Sequence, residues 1–547
     1  MKYLRIAVLV LTVLHVTSCN TMKKADLVIK NAKIYTVDRN FDVVSAMALR
    51  DGKILAVGTD NEIASTFQAS KVIDCEGKPV YPGFIDAHCH FTGYGIGLIK
   101  RANLVDTHSF DEVLTIMKEH QLKFPTSFWI EGRGWDQNDW PEKVFPTRKK
   151  LDEMFPDNPV ILTRIDGHAA LVNKIALQLA GIDASTTIEG GDVILENGEP
   201  TGVLIDNAID RVTAMIPEPD EKQTTTALLE AQENCFAVGL TSVHDAGLDK
   251  KVIHLIDSLQ KSGLLKMNVY AMLSPSSENF STFVEKGPYL TAKLSVRSIK
   301  LYADGALGSR GAKLLSGYSD QPENSGLILT SPDQIRKYCQ KALDHGYQVN
   351  THAIGDSANR LMLNVYGEYL KDKNDLRWRI EHCQVVASDD FELFEKYSIV
   401  PSSQPTHATS DMYWADERLG SERIKGAYAY RQLLDAYGWI PLGTDFPIEN
   451  INPLYTYYAA IERKDLKGWP EDGFQTENAL SRTDALKGMT IWAAMAAFEE
   501  KVRGSIEPGK NADFVVLEKD IMTIPGHEIP EVKVVRTFVD GKEVYGK

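Results

Sequence analysis

Short runs in which apolar and polar residues alternate occupy the two ends of the chain. A period of two is typical of strands that bury one face, and turn signals such as Asp51-Gly52 separate the runs. Neither end is long enough to bury a core alone, so we expect residues 26–82 and 503–547 to pair into one small β-sandwich. The predicted strands cover residues 27–29, 33–37, 46–49, 54–57, 513–517, 534–539 and 543–545.

Between these ends, apolar strand-like runs alternate with helical stretches. This alternation is typical of a parallel sheet covered by helices. Eight such runs predict an α/β fold, a (β/α)8 TIM-type barrel over residues 83–502. The predicted barrel strands cover residues 83–88, 241–245, 268–272, 298–302, 348–352, 378–382, 399–403 and 440–445.

The spacing of these strands locates an insertion. One βα unit takes roughly 30 residues, and His352 and His382 are 30 positions apart. His88 and Lys300 are 212 positions apart, far too many for three units. We therefore expect an insertion between strands 1 and 2, at about residues 105–235, whose clustered tryptophans build a core of its own.

The first residues have the pattern of an export signal. Two basic residues precede an apolar run at 6–16 that is too short to span a bilayer. The run leads into a Val-Thr-Ser-Cys sequence that ends at Cys19 and resembles the lipobox of bacterial lipoproteins. We expect residues 1–18 to be a cleaved signal peptide and 19–25 a tether. The mature chain is then exported and anchored to a bacterial membrane by a lipid on Cys19, with plain secretion as the alternative.

Composition narrows the range of partners. With 60 basic and 75 acidic side chains the formal net charge is -15 at pH 7, which argues against a general basic face for nucleic acid. We expect a small-molecule substrate, and a membrane contact only through the lipid anchor.

The cysteines other than Cys19 are widely spaced, without a disulfide framework or a metal knuckle, so we expect mostly buried free thiols.

Side chains that ligate metals stand at the C-terminal ends of the predicted barrel strands. Residues at these ends surround the active site of a barrel, and alternate residues of a strand share one face. Four imidazoles and one carboxylate form a nitrogen and oxygen set suited to Zn2+ or a similar divalent ion. The residues are His88, His90, His352, His382 and Asp445, and Lys300 stands at a strand end of the same kind.

Six segments carry a resemblance to a known family. The sequence resembles the amidohydrolase superfamily, and within it the amidohydrolase-3 branch that includes N-substituted formamide deformylase-like metal-dependent hydrolases. The resemblance covers nearly the whole chain after about residue 25 and is not specific for a substrate. The segments are P-G-F-I-D-A-H-C-H at 82–90, I-K-L-Y-A-D-G-A-L-G-S-R at 299–310, T-H-A-I-G-D at 351–356, I-E-H at 380–382, L-G-T-D at 442–445 and G-S-I-E-P-G-K-N-A-D at 504–513.

The resemblance implies a centre of two divalent metal ions, with Zn2+ favoured. Lys300, carboxylated on its amine by CO2, bridges the two ions. A single ion beside an unmodified Lys300 is one alternative, and an ordinary lysine that pairs with Asp304 is another. The implied ligands are His88, His90 and Asp445 for the first ion, and His352 and His382 for the second.

The implied reaction is hydrolysis of a C–N bond, other than a peptide bond, in a small amide such as an N-acyl or N-formyl amine. A metal-activated hydroxide attacks the carbonyl carbon, and Asp445 passes the proton of the water to the leaving nitrogen. Deamination of a heterocycle and hydrolysis of a lactone or ester stay open on the same centre. A lipid-tethered binding protein without catalysis also stays open, although the complete ligand set argues against it.

Four further residues are candidates for contact with the substrate. His168, His244 and His407 either touch polar groups of the substrate or cap local turns. Arg310 either holds an anionic group through two parallel hydrogen bonds or pairs with a nearby acid. The identity of the metal stays open, and so does the oligomeric state, where the resemblance suggests a homo-oligomer.

Overall fold

The structure is a computed structural model that describes residues 22–125 and 127–546. The predicted signal peptide and Cys19 lie outside these residues. In chain order the strands are β1 (Lys23–Lys30), β2 (Lys33–Tyr35), β3 (Val43–Val44), β4 (Ala46–Arg50), β5 (Lys53–Gly58), β6 (Phe67–Asp74), β7 (Pro79–Pro82), β8 (Phe84–Cys89), β9 (Ala102–Asn103), β10 (Ile130–Trp135), β11 (Val160–Arg164), β12 (Ala169–Val172), β13 (Gly191–Glu196), β14 (Glu199–Asp206), β15 (Leu240–Leu248), β16 (Asn268–Leu273), β17 (Tyr289–Leu290), β18 (Leu294–Tyr302), β19 (Gln348–Ala353), β20 (Arg379–His382), β21 (Val400–Ser402), β22 (Phe514–Leu517), β23 (Val534–Val539) and β24 (Lys542–Gly546).

The helices alternate with these strands through most of the chain. In chain order they are α1 (Asp60–Thr66), α2 (Phe91–Lys100), α3 (Phe110–Lys123), α4 (Lys149–Met154), α5 (Lys174–Ala180), α6 (Asn207–Thr213), α7 (Glu221–Ala237), α8 (Lys250–Lys261), α9 (Ser277–Thr282), α10 (Pro332–His345), α11 (Asp356–Leu370), α12 (Phe391–Tyr397), α13 (Pro405–Asp411), α14 (Ala415–Arg423), α15 (Tyr430–Tyr437), α16 (Pro453–Glu462), α17 (Arg482–Gly488) and α18 (Ile491–Ala496). No helix in the described ranges is long and apolar enough to cross a membrane.

Two sheets built from the chain ends form the predicted sandwich. One has the strand order β5-β4-β1-β6 and the other β24-β23-β22-β7-β2-β3. Strand β7, from the N-terminal segment, pairs antiparallel with β22, from the C-terminal segment. Ile29, Met47, Phe514 and Phe538 belong to the apolar core that both segments share. Each segment therefore needs the other to bury its apolar face.

Seven parallel strands of the described chain form the barrel wall, in the order β8-β15-β16-β18-β19-β20-β21. The prediction of a regular eighth strand at 440–445 is wrong, because in the described chain this segment makes only a single bridge, to Ser403. It still closes the barrel, since Gly443 N donates to Ser403 O at 3.0 Å and Asp445 N donates to His88 O at 2.8 Å. At the end of this segment Asp445 leaves the extended region, with a φ of 62°.

The insertion between the first and second barrel strands folds around a sheet of its own, in the order β13-β14-β12-β11-β10-β9. Trp129, Trp135 and Trp140 are buried in its apolar clusters, which confirms that they build its core. Most of helix α7 lies within the predicted limits of the insertion, 105–235, but the helix buries Leu228, Ala231 and Cys235 in the apolar cluster of the barrel. The inserted subdomain therefore ends before α7.

Barrel helix α10 shows how local sequence sets the ends of an element. Ser331 caps its start, Pro332 occupies its first turn, and Gly346 ends it with a φ of 69°. Its buried residues recur at helical spacing and are Ile335, Cys339 and Ala342. Cys339 is one of five buried free thiols among the described residues, as the spacing of the cysteines predicted.

The carboxylate of Asp520 connects the sandwich strands β2 and β7 to the segment that follows β22. Its Oδ2 accepts hydrogen bonds from Lys33 Nζ at 2.7 Å and Tyr35 OH at 2.8 Å. Its Oδ1 accepts one from Tyr81 OH at 2.8 Å. Burial works to raise the pKa of Asp520, but these hydrogen bonds outweigh it and hold the pKa below its usual value.

We expect Asp520→Asn to lower the free energy of unfolding by about 1–3 kcal/mol at pH 7, because three donors lose a charged acceptor. The folded pKa of Asp520 is depressed, so its stabilisation is present above about pH 4 and is lost as the pH falls through the folded value. Denaturant titrations at neutral and acidic pH measure both effects. Glu528→Gln is the control, because Glu528 pairs with Lys519 at the surface. Equal stability of Asp520→Asn and wild type at pH 7 would contradict this assignment.

Candidate active site

A cavity of about 850 Å³ opens at the C-terminal ends of the barrel strands. Lys300, His352 and His382 line it from the barrel, and His168 lines it from the inserted subdomain. His90 and Asp445 also line it, whereas His88 is fully buried beside them. The fold thus brings all six predicted ligands to the same end of the barrel.

His88, His382 and Asp445 form the tightest part of this cluster. One ligand atom from each lies within 4.8 Å of the other two. His88 Nε2 is 3.6 Å from Asp445 Oδ1, and His90 Nε2 is 3.3 Å from the same oxygen. The irregular segment 440–445, which closes the barrel, therefore places Asp445 beside His88 and His90.

Lys300 and His352 extend the cluster from the fourth and fifth barrel strands. Lys300 Nζ lies 3.2 Å from His88 Nε2. The ring of His352 lies with its centroid 4.5 Å from that of His382. Neighbouring strands of the barrel thus present their functional side chains to one space.

Lys300 has no carboxylate within salt-bridge distance in the described part of the chain. Asp304, the alternative partner, instead accepts the backbone N–H groups of Lys313, Ile354 and Gly355 at 2.7, 2.9 and 2.8 Å. Burial lowers the pKa of Lys300 to about 8. With this pKa about one-tenth of the amine is uncharged at pH 7, and the fraction rises with pH.

Glu381 holds His88 in place and was not among the sequence-predicted residues. Its Oε2 lies 2.8 Å from His88 Nδ1, and its Oε1 lies 2.7 Å from Arg379 Nη2. Burial works to raise the pKa of Glu381, but Arg379 and His88 outweigh it and keep the pKa below its usual value. Carboxylate partners of this kind fix the tautomer and orientation of a metal-ligating imidazole. The sequence feature that could have pointed to Glu381 is a pair of charged residues, Arg379 and Glu381, at alternate positions of one buried strand.

The neighbouring histidines favour the ionised form of Asp445. His407 Nε2 lies 3.3 Å from Asp445 Oδ2, on the side away from the oxygen that His90 approaches. Burial works to raise the pKa of Asp445, but the imidazoles of His407 and His90, each 3.3 Å from one of its oxygens, outweigh it and keep the pKa well below its usual value. The carboxylate is therefore an available acceptor across the neutral range.

His407 connects Asp445 to Glu449. Its Nδ1 lies 3.1 Å from Glu449 Oε1. Burial alone would lower the pKa of His407, but hydrogen bonds with Asp445 and Glu449 raise it to about 10. Glu449 was not predicted, since it stands in a loop without periodicity. The result is an imidazolium held between two carboxylates.

His168 lines the opposite wall of the cavity. Its ring centroid lies 5.0 Å from that of His352, and its Nδ1 is 2.6 Å from Asp206 Oδ1. Burial works to lower the pKa of His168, but the hydrogen bond with Asp206 outweighs it and raises the pKa. Asp206 was also not predicted from the sequence. His168 and Asp206 are 38 positions apart, and the antiparallel pairing of β12 with β14 brings them together.

Two of the predicted substrate contacts, His244 and Arg310, lie outside the cavity and are corrected. His244 is buried inside the barrel, with its Nδ1 3.1 Å from Arg379 Nη1 and its ring 5.0 Å from that of Tyr270. Arg310 Nη2 lies 2.8 Å from Asp320 Oδ2. His244 precedes the end of its strand and points into the packed interior, and Arg310 finds an acid on its own loop.

The backbone is strained at two residues of the site. His382 has a φ of 76° and Asp445 a φ of 62°, in the left-handed region that non-glycine residues rarely adopt. Strain of this kind persists only where surrounding contacts impose it, and it concentrates at functional sites. Here it turns both side chains toward the cluster.

The donor set fits a divalent metal ion. His382 Nδ1 and Asp445 Oδ1 are buried and have no hydrogen-bond partner among the described residues. A buried polar atom without a partner is costly, and a cation coordinated by the cluster satisfies such atoms. Imidazole nitrogen and carboxylate oxygen are ligands that Zn2+ and similar ions prefer.

A TIM-type barrel with such a cluster at its C-terminal end is the architecture of a metal-dependent hydrolase. The amidohydrolase-3 family model, described as "Amidohydrolase family", matches residues 71–545. The chain belongs to this family, as the sequence motifs predicted.

Relatives along the whole length agree with this placement. Protein LONG AFTER FAR-RED 3 of Arabidopsis thaliana is 33% identical over 95% of this chain and 92% of its own length. N-substituted formamide deformylase of Arthrobacter pascens is 27% identical over 94% of this chain and 97% of its own. The crystal structure of an uncharacterized metal-dependent hydrolase from Pyrococcus horikoshii is similar at a TM-score of 0.74 and 28% identity, covering 91% of this chain and 99% of that one.

Proposed function

We propose that this protein hydrolyses the C–N bond of a small amide, such as an N-formyl or N-acyl amine, to a carboxylic acid and an amine. The observation that carries the proposal is the meeting of His88, His382 and Asp445 within 4.8 Å at a cavity of about 850 Å³. Cavities of this size accommodate small molecules. The similarity to an N-substituted formamide deformylase supports an amide as the substrate.

We further propose that the site holds two divalent metal ions, with Zn2+ favoured. When bound, they lower the pKa of water towards about 7 and polarise the substrate carbonyl. The proposed ligands are His88, His90, Lys300, His352, His382 and Asp445. A single ion beside an unmodified Lys300 is the alternative.

The buried amine of Lys300 supports a bridging role. Its pKa of about 8 makes the uncharged amine accessible. That amine adds to the carbon of CO2, an N–C bond forms, and one N–H proton leaves, so the side chain becomes an anionic carbamate. An ammonium in the same place would repel two dications.

Asp445 carries the proton in the proposed reaction. Its carboxylate accepts a proton from the attacking water, whose oxygen bonds to the acyl carbon. It then donates that proton to the leaving nitrogen as the C–N bond breaks. His407 Nε2 lies 3.3 Å from Asp445 Oδ2 and holds the carboxylate in place beside the proposed ligands. Because Asp206 engages His168 Nδ1, His168 Nε2 is available for the substrate carbonyl.

The proposal is tested by metal dependence on a matched substrate panel. The purified protein is analysed for metal, stripped with a chelator and reloaded with Zn2+ or other divalent ions. N-formyl and N-acetyl amines are assayed beside an ester, a lactone and an amino-heterocycle, by release of the acid and the amine. We expect amide hydrolysis to disappear on stripping and to return on reloading. Full metal content without any C–N turnover, or turnover of the ester and lactone alone, overturns the proposal.

A further inference from the structure

Three arginines line the wall of the cavity on the side of the inserted subdomain: Arg101, Arg133 and Arg164. Two of them are neutralised by acids. Arg164 pairs with Asp136 and with Asp166, the latter at 2.5 Å. Arg101 Nε lies 3.4 Å from Glu131 Oε2. Arg133 has no carboxylate within salt-bridge distance in the described ranges 22–125 and 127–546.

The guanidinium of Arg133 is held in place but is not satisfied. Its Nη2 donates to the carbonyl oxygen of Ile165 at 2.8 Å. Its Nε is buried and donates to no acceptor among the residues that the structure describes. Burial lowers the pKa of Arg133 to about 10, so the group stays charged at neutral pH. A partly buried cation without an anionic partner is costly, and a ligand that supplies the anion removes the cost.

Arg133 also lies beside the turn that carries His168. A Cβ at Gly167 would stand 3.6 Å from Arg133 Nη1, so the guanidinium flanks the turn that carries His168. The ring of His168 in turn lies 5.0 Å from that of His352. A substrate whose carbonyl sits at the ligand cluster therefore extends past His168 to Arg133.

We propose that Arg133 binds a carboxylate of the substrate, so that the natural substrates are N-formyl or N-acyl amino acids rather than neutral amides. This inference rests on the proposed function of the same site. The planar fork of a guanidinium matches a carboxylate through two parallel hydrogen bonds. Asp136 and Asp166 pair with Arg164, and no carboxylate of the described residues lies within salt-bridge distance of Arg133.

The test uses two substrates that differ only in the carboxylate, N-formylphenylalanine and N-formyl-2-phenylethylamine. We expect the metal-loaded wild type to prefer the first. Arg133→Met should raise KM for N-formylphenylalanine about 10- to 100-fold with little change in kcat, and should leave the neutral amide unaffected. Arg133→Lys should recover part of the lost affinity. Arg101→Gln is the matched control on the same wall, because Arg101 is already paired, and it should change neither substrate.

A binding measurement separates this inference from the proposed function. Calorimetry with N-acetylphenylalanine on the Asp445→Asn variant reads affinity without turnover, and Arg133→Met in that background should weaken binding by a similar factor. Equal binding with and without Arg133 overturns the inference, even if amides are hydrolysed. An equal fall in kcat for both substrates also overturns it, because Arg133 would then act on the shared carbonyl. Carboxylate binding that depends on Arg133, without hydrolysis of any amide, supports the role of Arg133 as a carboxylate site but overturns the proposed function, and with it the assignment of N-acyl amino acids as substrates.

Discussion

Asp445→Asn is expected to lower kcat by about 10³-fold. The amide of asparagine cannot accept the proton of the attacking water, and the leaving nitrogen then lacks a proton donor. Asn keeps the shape of the side chain, so the contacts of Asp445 with His90 and His407 change in charge more than in geometry. Steady-state kinetics on protein of measured metal content, with circular dichroism as a check of folding, measures the effect.

Asp465→Asn is the control for Asp445. Asp465 also lines the cavity, but its carboxylate accepts a hydrogen bond from Tyr413 OH at the exposed rim. We expect this variant to keep the turnover of the wild type. If Asp445→Asn, fully loaded with metal, turns over as fast as the wild type, Asp445 has no part in proton transfer.

Lys300→Ala is expected to reduce the bound metal from two ions per chain to one or none, and to lower kcat by about 10³-fold or more. In the proposed two-ion centre the Lys300 carbamate would be a shared anionic ligand, so its loss would remove several kcal/mol of the electrostatic stabilisation that metal ions supply in the transition state. Elemental analysis of the dialysed variant and steady-state kinetics measure the two effects. Labelling the wild type with ¹³C-bicarbonate should give a carbamate signal that is absent from the variant.

Lys464→Ala is the matched control, because Lys464 lines the outer cavity without being one of the proposed ligands. It should keep both metals and the activity. Two ions per chain and undiminished turnover in Lys300→Ala would remove the lysine from the centre. One ion in active wild type without a carbamate signal would select the single-metal alternative.

The candidate metal ligands could be predicted from the sequence, because in a barrel the position of a residue along its strand decides the end of the barrel at which it lies. A residue at the C-terminal end of any strand reaches the same mouth, so His88, His352 and His382 meet whatever lies between them. Spacing alone also required an insertion after the first strand. The expectation of a regular eighth strand failed because the strain at Asp445 cannot be read from an apolar run. The predicted lipid anchor at Cys19 lies outside the described residues and stays a prediction.

The acidic residues that contact the histidines of the site could not be predicted from the sequence. Glu381 touches His88 across 293 positions of sequence, and Glu449 touches His407 from a loop without regular structure. Asp206 reaches His168 through the pairing of β12 with β14. Each contact depends on strand register or loop path, which no local pattern encodes. The substrate contacts predicted for His244 and Arg310 failed for the same reason. The side chain of His244 is buried inside the barrel, and Arg310 pairs with Asp320.

By itself, the sequence determined the fold class, the sandwich built from both ends, the presence of an insertion and the set of candidate metal ligands. These follow from hydrophobic period, segment length and residue type, which are local properties of the chain. Only the tertiary structure decided which polar groups are paired, including the guanidinium of Arg133, which has no carboxylate partner among the described residues. Pairing and burial depend on neighbours that are distant in sequence, so they exist only once the chain has folded.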